Sequence, residues 1–592
     1  MFQHGIRDQW HEAQAQAQAI SCWLNCYLRE FALPREQADF NYRGLDAPAA
    51  LLHGERQQLL RIRFAEAGYL ICARVVRTSM LGRCEYQSAP YLKSPGHPWR
   101  CADANTMAHF LLERLAHECG FNAELLAQSQ NSVAITAQLL RLAKQAEVDD
   151  AVACGDALIE AEQAMLWGHA LHPTPKSREG VPLAQVLACA PEARSQFQLF
   201  WFRIDPRLYR AQGQGVRATL AQAGGAADLY PCHPWEAERV LAHPLLRQAQ
   251  ARGWIEPLGE RGLALRPTSS VRTLYHAELD YFLKLSVHVR LTNCVRKNAW
   301  YELESAVALT RLLAPVWRAL AKRVPGFQVL LEPAATDLDF SALGGDAHAC
   351  RELGESFGML YRQAIPAAQR VRFQPQVAGA LFTRDARGNA PCAAPLQALA
   401  RRYGGSLDAA AAAWFHAYAR LLLDGVWSAW FDYGIALEPH LQNTVIGSVD
   451  GLPARVWIRD LEGTKLLPAR WPAARLHGMS ETARQSLYYS AEQGWNRIAY
   501  CALVNNLAEA IFHLADGHER RERQLWRIVG TIAQAWQQRH GRQPALQALL
   551  DGAPLPAKNN LRLRLLQRAD RHADYTLLPN PIAPPAQRQA AA

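Results

Sequence analysis

Strand-forming and helix-forming sequence are divided unequally along this chain, and that division limits its architecture before any motif is read. Three runs in the middle, QFQLFWFRI (196–204), GLALRPTSSVRTL (262–274) and YFLKLSVHVRLT (281–292), are strand-like and rich in β-branched and aromatic residues. After about residue 400 the chain turns helical, over 407–432, 494–516 and 520–538, with one short strand-like insert, RVWIRDLEG (455–463). Upstream, 14–31 reads as a helix whose Ile20, Trp23, Leu24, Tyr27 and Leu28 form an apolar stripe. LLRIRFAEAGYLICARVV (59–76) reads as two strands about an Ala-Gly turn, and about 105–118 as a helix ended by Gly120. The 592 residues exceed what one hydrophobic core supports, so two to four domains are expected. The closing stretch LPNPIAPPAQRQAAA is rich in Pro and Ala and is expected to fray.

No apolar run approaches the ~20 residues of a membrane helix. The opening MFQHGIRDQWHEAQAQAQAI lacks a basic start followed by an apolar core, so no secretory signal and no membrane partner are expected. The thirteen cysteines are dispersed without metal-type pairing; Cys22 and Cys26 read as packing, and the set as reduced thiols of a cytoplasmic protein. Lys and Arg exceed Asp and Glu by 64 − 54 = 10, spread without a basic tail or nucleic-acid motif. That excess serves either solubility or pockets for small anions. No Gly-rich loop joins strand to helix in the P-loop or dinucleotide pattern.

The chemistry concentrates in six polar blocks. In GHALHPTPKSREG (168–180), Pro173 and Pro175 forbid a helix and stiffen a loop carrying His172, Lys176 and Arg178. Lysine binds phosphate as a point charge and arginine as a fork; a zinc pair through His169 and His172, or a plain solvated loop, are the alternatives. YPCHPWEAERV (230–240) reads as a helix start with Pro234 in its first turn. RPTSSVRTL sets Ser269, Ser270, Arg272 and Thr273 at a strand end, the hydroxyls and guanidinium that phosphate oxygens require. In KLSVHVRLTNCVRKN, alternation puts Lys284, Ser286, His288 and Arg290 on one strand face that holds no acid, with Arg296 beyond. Such a face is unfavourable unless an anion covers it, or else it is an ordinary polar face in water. ALEPHLQNTVI gathers Glu438, His440, Gln442 and Asn443, and WIRDLEG places Asp460 and Glu462 on one face if it is a strand. Carboxylates beside amides suit Mg²⁺; an ion-pair network is the alternative, and for His440 a core histidine bonded to a backbone carbonyl.

Taken in order, GHALHPTPKSREG, HPWE, PTSSVRTL, KLSVHVRLTNCVRKN, EPHLQNTVI and RDLEG resemble the NRPS-independent siderophore synthetases, the aerobactin-synthetase (IucA/IucC) family, over about residues 165–465. The C-terminal helical part also resembles the family's ferric-reductase-like segment. One departure is Ala170, where the family often has Pro after the first His; it loosens the loop but leaves His172 and Lys176 in place. The resemblance implies an α+β fold of cupped-hand, multidomain form: an N-terminal thumb (1–140), β-rich fingers (141–395) with the ATP- and acid-binding strands, and a mostly helical palm (396–592). It implies a homodimer. It implies that Ser269, Ser270, Arg272, Thr273, Lys284, His172, Lys176 and Asn443 meet ATP, that Thr292, Arg296 and His440 meet a polycarboxylic acid, and that Glu438 and Asp460 hold Mg²⁺. Lys284, Arg296 and His440 would be catalytic.

The implied reaction activates a carboxylate of citrate, or a related polycarboxylic acid, with ATP. An amine, amino alcohol or amino acid then takes the acyl group as an amide or ester, releasing AMP. Both steps build charge on oxygens, which fixed cations in a water-poor cleft stabilise. No cysteine or serine sits in a recognised nucleophile elbow. Two other readings stand beside it: a non-catalytic ferric-siderophore-binding, reductase-like protein, and a kinase-like phosphotransferase that would release ADP.

Overall fold

In the computed structural model, which describes residues 2–42, 46–52, 58–146, 155–213, 215–568 and 573–583, the strand-forming middle of the chain builds one eight-stranded antiparallel sheet. Its order is Tyr209–Gln212, Ala334–Leu338, Met359–Gln363, Tyr281–Leu285, Thr273–Tyr275, Ile255–Pro267, Phe197–Ile204 and Leu229–Cys232. The sheet buries Trp201, Phe202, Tyr230, Leu274, Leu283 and Tyr361 in one hydrophobic core. Thr273 pairs with Lys284, and Lys284 in turn with Leu360, so Lys284 lies mid-sheet.

The single strand expected over 281–292 is two. The chain leaves the large sheet after Leu285 and starts a separate hairpin, Val287–Leu291 with Cys294–Arg296. The break is held by Asn298, whose Nδ2 donates to the carbonyls of Lys284 (3.0 Å) and Gly358 (2.9 Å). Ser286 Oγ accepts the Asn298 N–H at 2.8 Å. A shared face for Lys284, Ser286, His288 and Arg290 therefore does not exist: Lys284 and Ser286 are buried and His288 is exposed. Likewise 455–463 is strand only to Ile458; residues 461–463 form a 3₁₀ turn.

Upstream, a helix at Phe2–Tyr27 runs on into a π-helical turn, Leu28–Ala32, and packs against a six-stranded sheet. The two strands expected about an Ala-Gly turn are Gln58–Arg63 and Leu70–Thr78, and the helix Ala104–Cys119 ends at Gly120 in a left-handed-side conformation. Leu561 and Leu565, from a helix near the other end of the chain, complete this core. The tail is ordered as far as 583: Asn580 Nδ2 donates to the carbonyls of Leu549 (2.7 Å) and Ala553 (2.8 Å), and Ile582 is buried. The rest of the expected frayed tail lies outside the described residues.

The last third packs helices Leu407–Tyr433 and Glu519–His540 around the stretch Ala491–Ala515. That stretch is long and apolar enough to cross a membrane, yet its residues 498–515 are all buried inside the protein. Its centre, Ala499–Leu507, is π-helical, the wider turn that recurs at functional sites. Gly425 permits the closest approach in this core: a Cβ there would meet the Phe327 ring at 2.2 Å. Gly425→Ala should cost about 1–3 kcal/mol by overpacking, read as a lower thermal midpoint with unchanged far-ultraviolet circular dichroism at 20 °C.

Candidate active site

A cleft of about 730 Å³ forms where the 168–178 loop, the turn 268–273, the hairpin 287–296, the segments 438–443 and 459–460, and the buried helix at 497–513 converge. Three of its lining residues are not glycine yet have left-handed backbones: Val271 (φ 68°), Thr292 (φ 60°) and Asp460 (φ 79°). For the β-branched pair this conformation is strained, so their surroundings must enforce it. At Val271 the enforcement is a closed turn, with Thr268 N–H donating to Thr273 O (2.9 Å) and Val271 N–H to Thr268 O (2.8 Å). At Thr292 the hydroxyl donates to Leu291 O (2.6 Å) and accepts from Arg296 Nη2 (3.1 Å).

The 168–178 loop is no solvated loop, since residues 171–178 are all buried. His172 Nδ1 accepts the Thr174 N–H (3.1 Å), which puts its proton on Nε2, facing Asn293 Oδ1 at 2.9 Å. Asn293 Nδ2 donates to Asn560 Oδ1 (3.1 Å), and Asn560 returns to Leu171 O (2.8 Å). His169 is similarly engaged: Nδ1 accepts the Leu171 N–H (3.0 Å), and Nε2 lies 2.9 Å from the Asn505 amide. Burial, then neighbouring His172 and His440, lowers the His169 pKa to about 3. With all four ring nitrogens occupied, the zinc pair has no lone pair to offer, and among the described residues no group of three metal-ligating side chains gathers. Lys176 is buried against Glu192 and donates to Met165 O (2.7 Å). The HPWE block is a helix start: His233 Nδ1 caps the Trp235 N–H (3.1 Å) of Pro234–Ala242.

The cations expected to await an anion divide into two groups. Lys284 Nζ lies 2.9 Å from Asp460 Oδ1 and 2.6 Å from Glu462 Oε2, so the acid-free face expected for it is corrected: the acids come from the 459–462 segment. Burial opposes these charges, but the mutual attraction outweighs it, holding both carboxyls below the carboxylate range and Lys284 above its ordinary value. Arg362 binds Glu332 (2.8 Å), Arg459 binds Glu162, and Arg497 binds Glu438. The second group lacks a carboxylate within hydrogen-bonding reach. Arg272, 4% exposed, donates from Nη1 to Arg296 O (2.9 Å) and Asn298 Oδ1 (2.5 Å), with its closest acid, Glu462, at 3.8 Å. Arg178 donates to Ser177 O (2.8 Å), and Arg296 to Thr292. Burial lowers Arg272 and Arg178, and the charge of Arg296 lowers both further. Glu192 pulls Arg178 back up and Glu462 pulls Arg272 back up, from beyond hydrogen-bonding distance. Three guanidiniums thus crowd one region with no carboxylate hydrogen-bonded to them among the described residues, which favours an anion there.

Beside them, Ser269 donates its Oγ–H (2.6 Å) and N–H (3.0 Å) to Glu162 Oε2, and Ser270 Oγ accepts the Thr273 N–H (3.2 Å). Thr273 Oγ1 is buried with no partner among the described residues. The π-helical turn pins the 438–444 segment: Asn506 Nδ2 donates to Pro439 O (2.9 Å), and Asn505 Oδ1 accepts the Leu441 N–H (3.0 Å). His440 Nδ1 accepts the Asn443 N–H (3.3 Å), so its proton resides on Nε2, for which no partner is found among the described residues. Burial lowers the His440 pKa, keeping it a neutral donor. Asn443 Nδ2 donates to Glu438 O (3.3 Å).

The cleft brings together the residues that the resemblance assigns to ATP, acid and Mg²⁺: His172, Lys176, Ser269, Ser270, Arg272, Thr273, Lys284, Thr292, Arg296, Glu438, His440, Asn443 and Asp460 all line it, whereas Ser286, His288, Arg290 and Glu462 are not among its lining residues. Arg178, named with the loop that carries it, also lines the cleft. Motif reading passed over Asn293, Arg362, Arg459, Arg497 and Asn505. Asn293 lay within a quoted block; Arg497 and Asn505 sit in a helix whose apolar run gave no signal.

Comparison with known proteins agrees with the blocks. Residues 157–383 match the IucA / IucC family, and residues 412–573 the ferric iron reductase FhuF-like transporter family. The L-2,3-diaminopropanoate–citrate ligase of Staphylococcus aureus is 28% identical over 477 residues, 78% of this chain and 79% of that one. The spermidine–citrate ligase of Bacillus anthracis is 25% identical, covering 96% of this chain and 98% of that one. The structure of ATP-bound aerobactin synthetase IucA from a hypervirulent pathotype of Klebsiella pneumoniae superposes with a TM-score of 0.81 at 24% identity, covering 96% and 99% of the two chains. The fold is the α+β fold of that structure.

Lys284 offers a direct check on the charge network. Removing one partner of a buried pair costs roughly 3–5 kcal/mol because the other charge is stranded. Lys284→Met should therefore lower the unfolding midpoint clearly, and Lys284→Met/Asp460→Asn/Glu462→Gln should recover most of the loss. A triple variant no more stable than the single one would show that the three side chains do not act as a unit.

Proposed function

We propose that this chain, which belongs to the IucA/IucC family, is an AMP-forming ligase that joins a carboxylate of citrate, or a related polycarboxylic acid, to an amine or hydroxyl nucleophile in siderophore biosynthesis. The observation that carries the reading is the cluster of Arg178, Arg272 and Arg296, the first two buried and the third half-buried, none hydrogen-bonded to a carboxylate among the described residues, beside the neutral donor His440. In the first step a carboxylate oxygen attacks the α-phosphorus of ATP, the bond to the β-phosphate breaks, and pyrophosphate leaves. In the second the nucleophile attacks the acyl carbon, the bond to AMP breaks, and the nucleophile loses a proton. Each step moves negative charge onto oxygens, and a preorganised donor counts most where charge develops. Arg272 and Arg296 would bind phosphate and acid oxygens, Ser269, Ser270 and Thr273 would supply hydroxyls, and His440 Nε2 would donate to the reacting oxygens. His172 and Lys176 would act one layer back, holding the loop that carries Arg178.

Mg²⁺ suits the donors present. Glu438 and Asp460 both line the cleft and each pairs with a cation through one oxygen, Oε1 and Oδ1, so the second oxygen of each would be the Mg²⁺ donor, and Mg²⁺ needs only one or two carboxylates beside phosphates and water. When bound it would neutralise phosphate charge. The thumb, fingers and palm boundaries at 140 and 395, a homodimer and a cytoplasmic location complete the reading. The FhuF-like segment supports the ligase reading over a separate reductase, because Glu438, His440, Asn443 and Asp460 within it wall the same cleft as Arg272.

With ATP, Mg²⁺, citrate and hydroxylamine as surrogate nucleophile, the protein should form AMP and pyrophosphate; ADP would support a phosphotransferase, and no nucleotide turnover a binding protein. His440→Ala should lower kcat by about 10²-fold with little change in melting temperature. A packing histidine would give the reverse. Arg296→Ala should lose at least about tenfold in pyrophosphate release, and Arg296→Lys should not restore it fully, because the fork is lost.

A further inference from the structure

The cleft extends past the Arg178, Arg272 and Arg296 cluster to a second polar end that the proposed chemistry leaves unused. It is walled by the hairpin carrying Arg77 and Arg83, by Arg384, and by Phe512 and His513 of the buried helix. His513 is 5% exposed, lines the cleft, and has no hydrogen-bond partner on either ring nitrogen among the described residues. A buried polar group left unpaired costs about 1–3 kcal/mol, so a histidine here calls for a missing partner. Arg77 and Arg83 stack on the Phe512 ring, their guanidinium carbons 3.9 and 4.1 Å from its centroid. Burial, then the charges of Arg83, Arg77 and Arg384, drives the His513 pKa well below its ordinary value. It is therefore a neutral donor in a positive field, not a base. Burial, then the neighbouring Arg77, also lowers Arg83, to about 9, although Glu509 is bonded to it.

The acids at this end do not offer a counter-site for an ammonium. Glu85 is bonded through Oε2 to Arg77 (2.6 Å) and through Oε1 to Arg384 (2.5 Å), Asp516 Oδ1 to Arg77 (3.2 Å), and Glu509 to Arg83. The arginines keep capacity: each guanidinium has five donor hydrogens, and Arg83 uses Nη1 for Glu509. Resting on the ligase reading, we propose that this end of the cleft binds a carboxylate of the nucleophile, through His513 and the guanidiniums of Arg83, Arg77 and Arg384, so that the co-substrate is an amine of the amino-acid class rather than a plain diamine or polyamine.

Matched pairs that differ by one carboxylate test this: L-2,3-diaminopropanoate with ethylenediamine, L-ornithine with putrescine, L-lysine with cadaverine. With ATP, Mg²⁺ and citrate, the amino acid of the best pair should exceed its diamine in kcat/KM by at least about tenfold, or ~1.4 kcal/mol. In His513→Leu that ratio should collapse toward one, and His513→Gln, which keeps a donor, should retain part of it. Because Leu needs no partner, His513→Leu should melt no lower than the wild type, whereas a histidine that serves packing would lose stability. Arg83→Met gives a second route to the same collapse if His513→Leu folds poorly. Diamines reacting as well as amino acids, or both members of a pair falling by one factor in His513→Leu, overturn the proposal while leaving the ligase reading intact. Calorimetric titration of the same pairs onto the protein separates the two failures. Selective binding of the amino acid, lost in His513→Leu, upholds the subsite even if no AMP is formed; equal binding of both members, or of neither, overturns it.

Discussion

Lys284 is buried in the middle of the large sheet, and its charge is met from outside that sheet by Asp460 and Glu462. A buried ammonium is tolerable only when paired and hydrogen-bonded. The pairing therefore obliges the chain after Ile458 to leave its strand and bring two carboxylates across. The left-handed backbone at Asp460 is the local cost of that route. Arg362 leans on the same carboxylate at 3.6 Å while binding Glu332, whose other oxygen accepts the Leu461 N–H at 3.0 Å. One charge in the sheet thereby fixes the segment that walls the cleft on its far side.

With those carboxylates committed, the electrostatics of the cleft are set by what remains. Lys176, Arg362, Arg459 and Arg497 each have a dedicated acid, so their role is to hold loops in place. Arg178, Arg272 and Arg296 do not, and the strained turn at Val271 and the left-handed Thr292 carry two of them to the same region. Strain and cations with no hydrogen-bonded acid among the described residues coincide here, as expected where a site is preorganised for a ligand and its stability is supplied by the surrounding fold.

Much of this was legible in the sequence because the site is built from contiguous polar blocks. The turn PTSSVRTL and the segment EPHLQNTVI could be placed by residue type alone, and all thirteen candidates line the cleft. Partnership was not legible. The face of Lys284 looked acid-free because its acids lie about 180 residues onward, and strand alternation could not foresee that Asn298 takes the carbonyls of Lys284 and Gly358 and splits the strand. Arg497 and Asn505 were hidden for the opposite reason: an apolar helix reads as core, yet Arg497 from its first turns and Asn505 from its π-helical turn both line the cleft.

The chain end contributes in a way that spacing could not reveal. Asn560 closes the line from His172 through Asn293, yet it reaches the cleft only because the helix Asn560–Leu565 docks on the N-terminal core through Leu561 and Leu565. Its first N–H groups need acceptors, and Glu30 supplies them, accepting from Leu561 at 2.9 Å and Arg562 at 2.8 Å. Glu30 in turn is placed by the π-helical turn Leu28–Ala32. Burial pushes its carboxyl up to about 7 against the pull of those N–H groups, so it holds the helix end from a site that disfavours charge. An acid at residue 30 thus orients a histidine at 172 by way of residues 560 and 293, and the first and last hundred residues become part of a cleft whose motifs all lie between them.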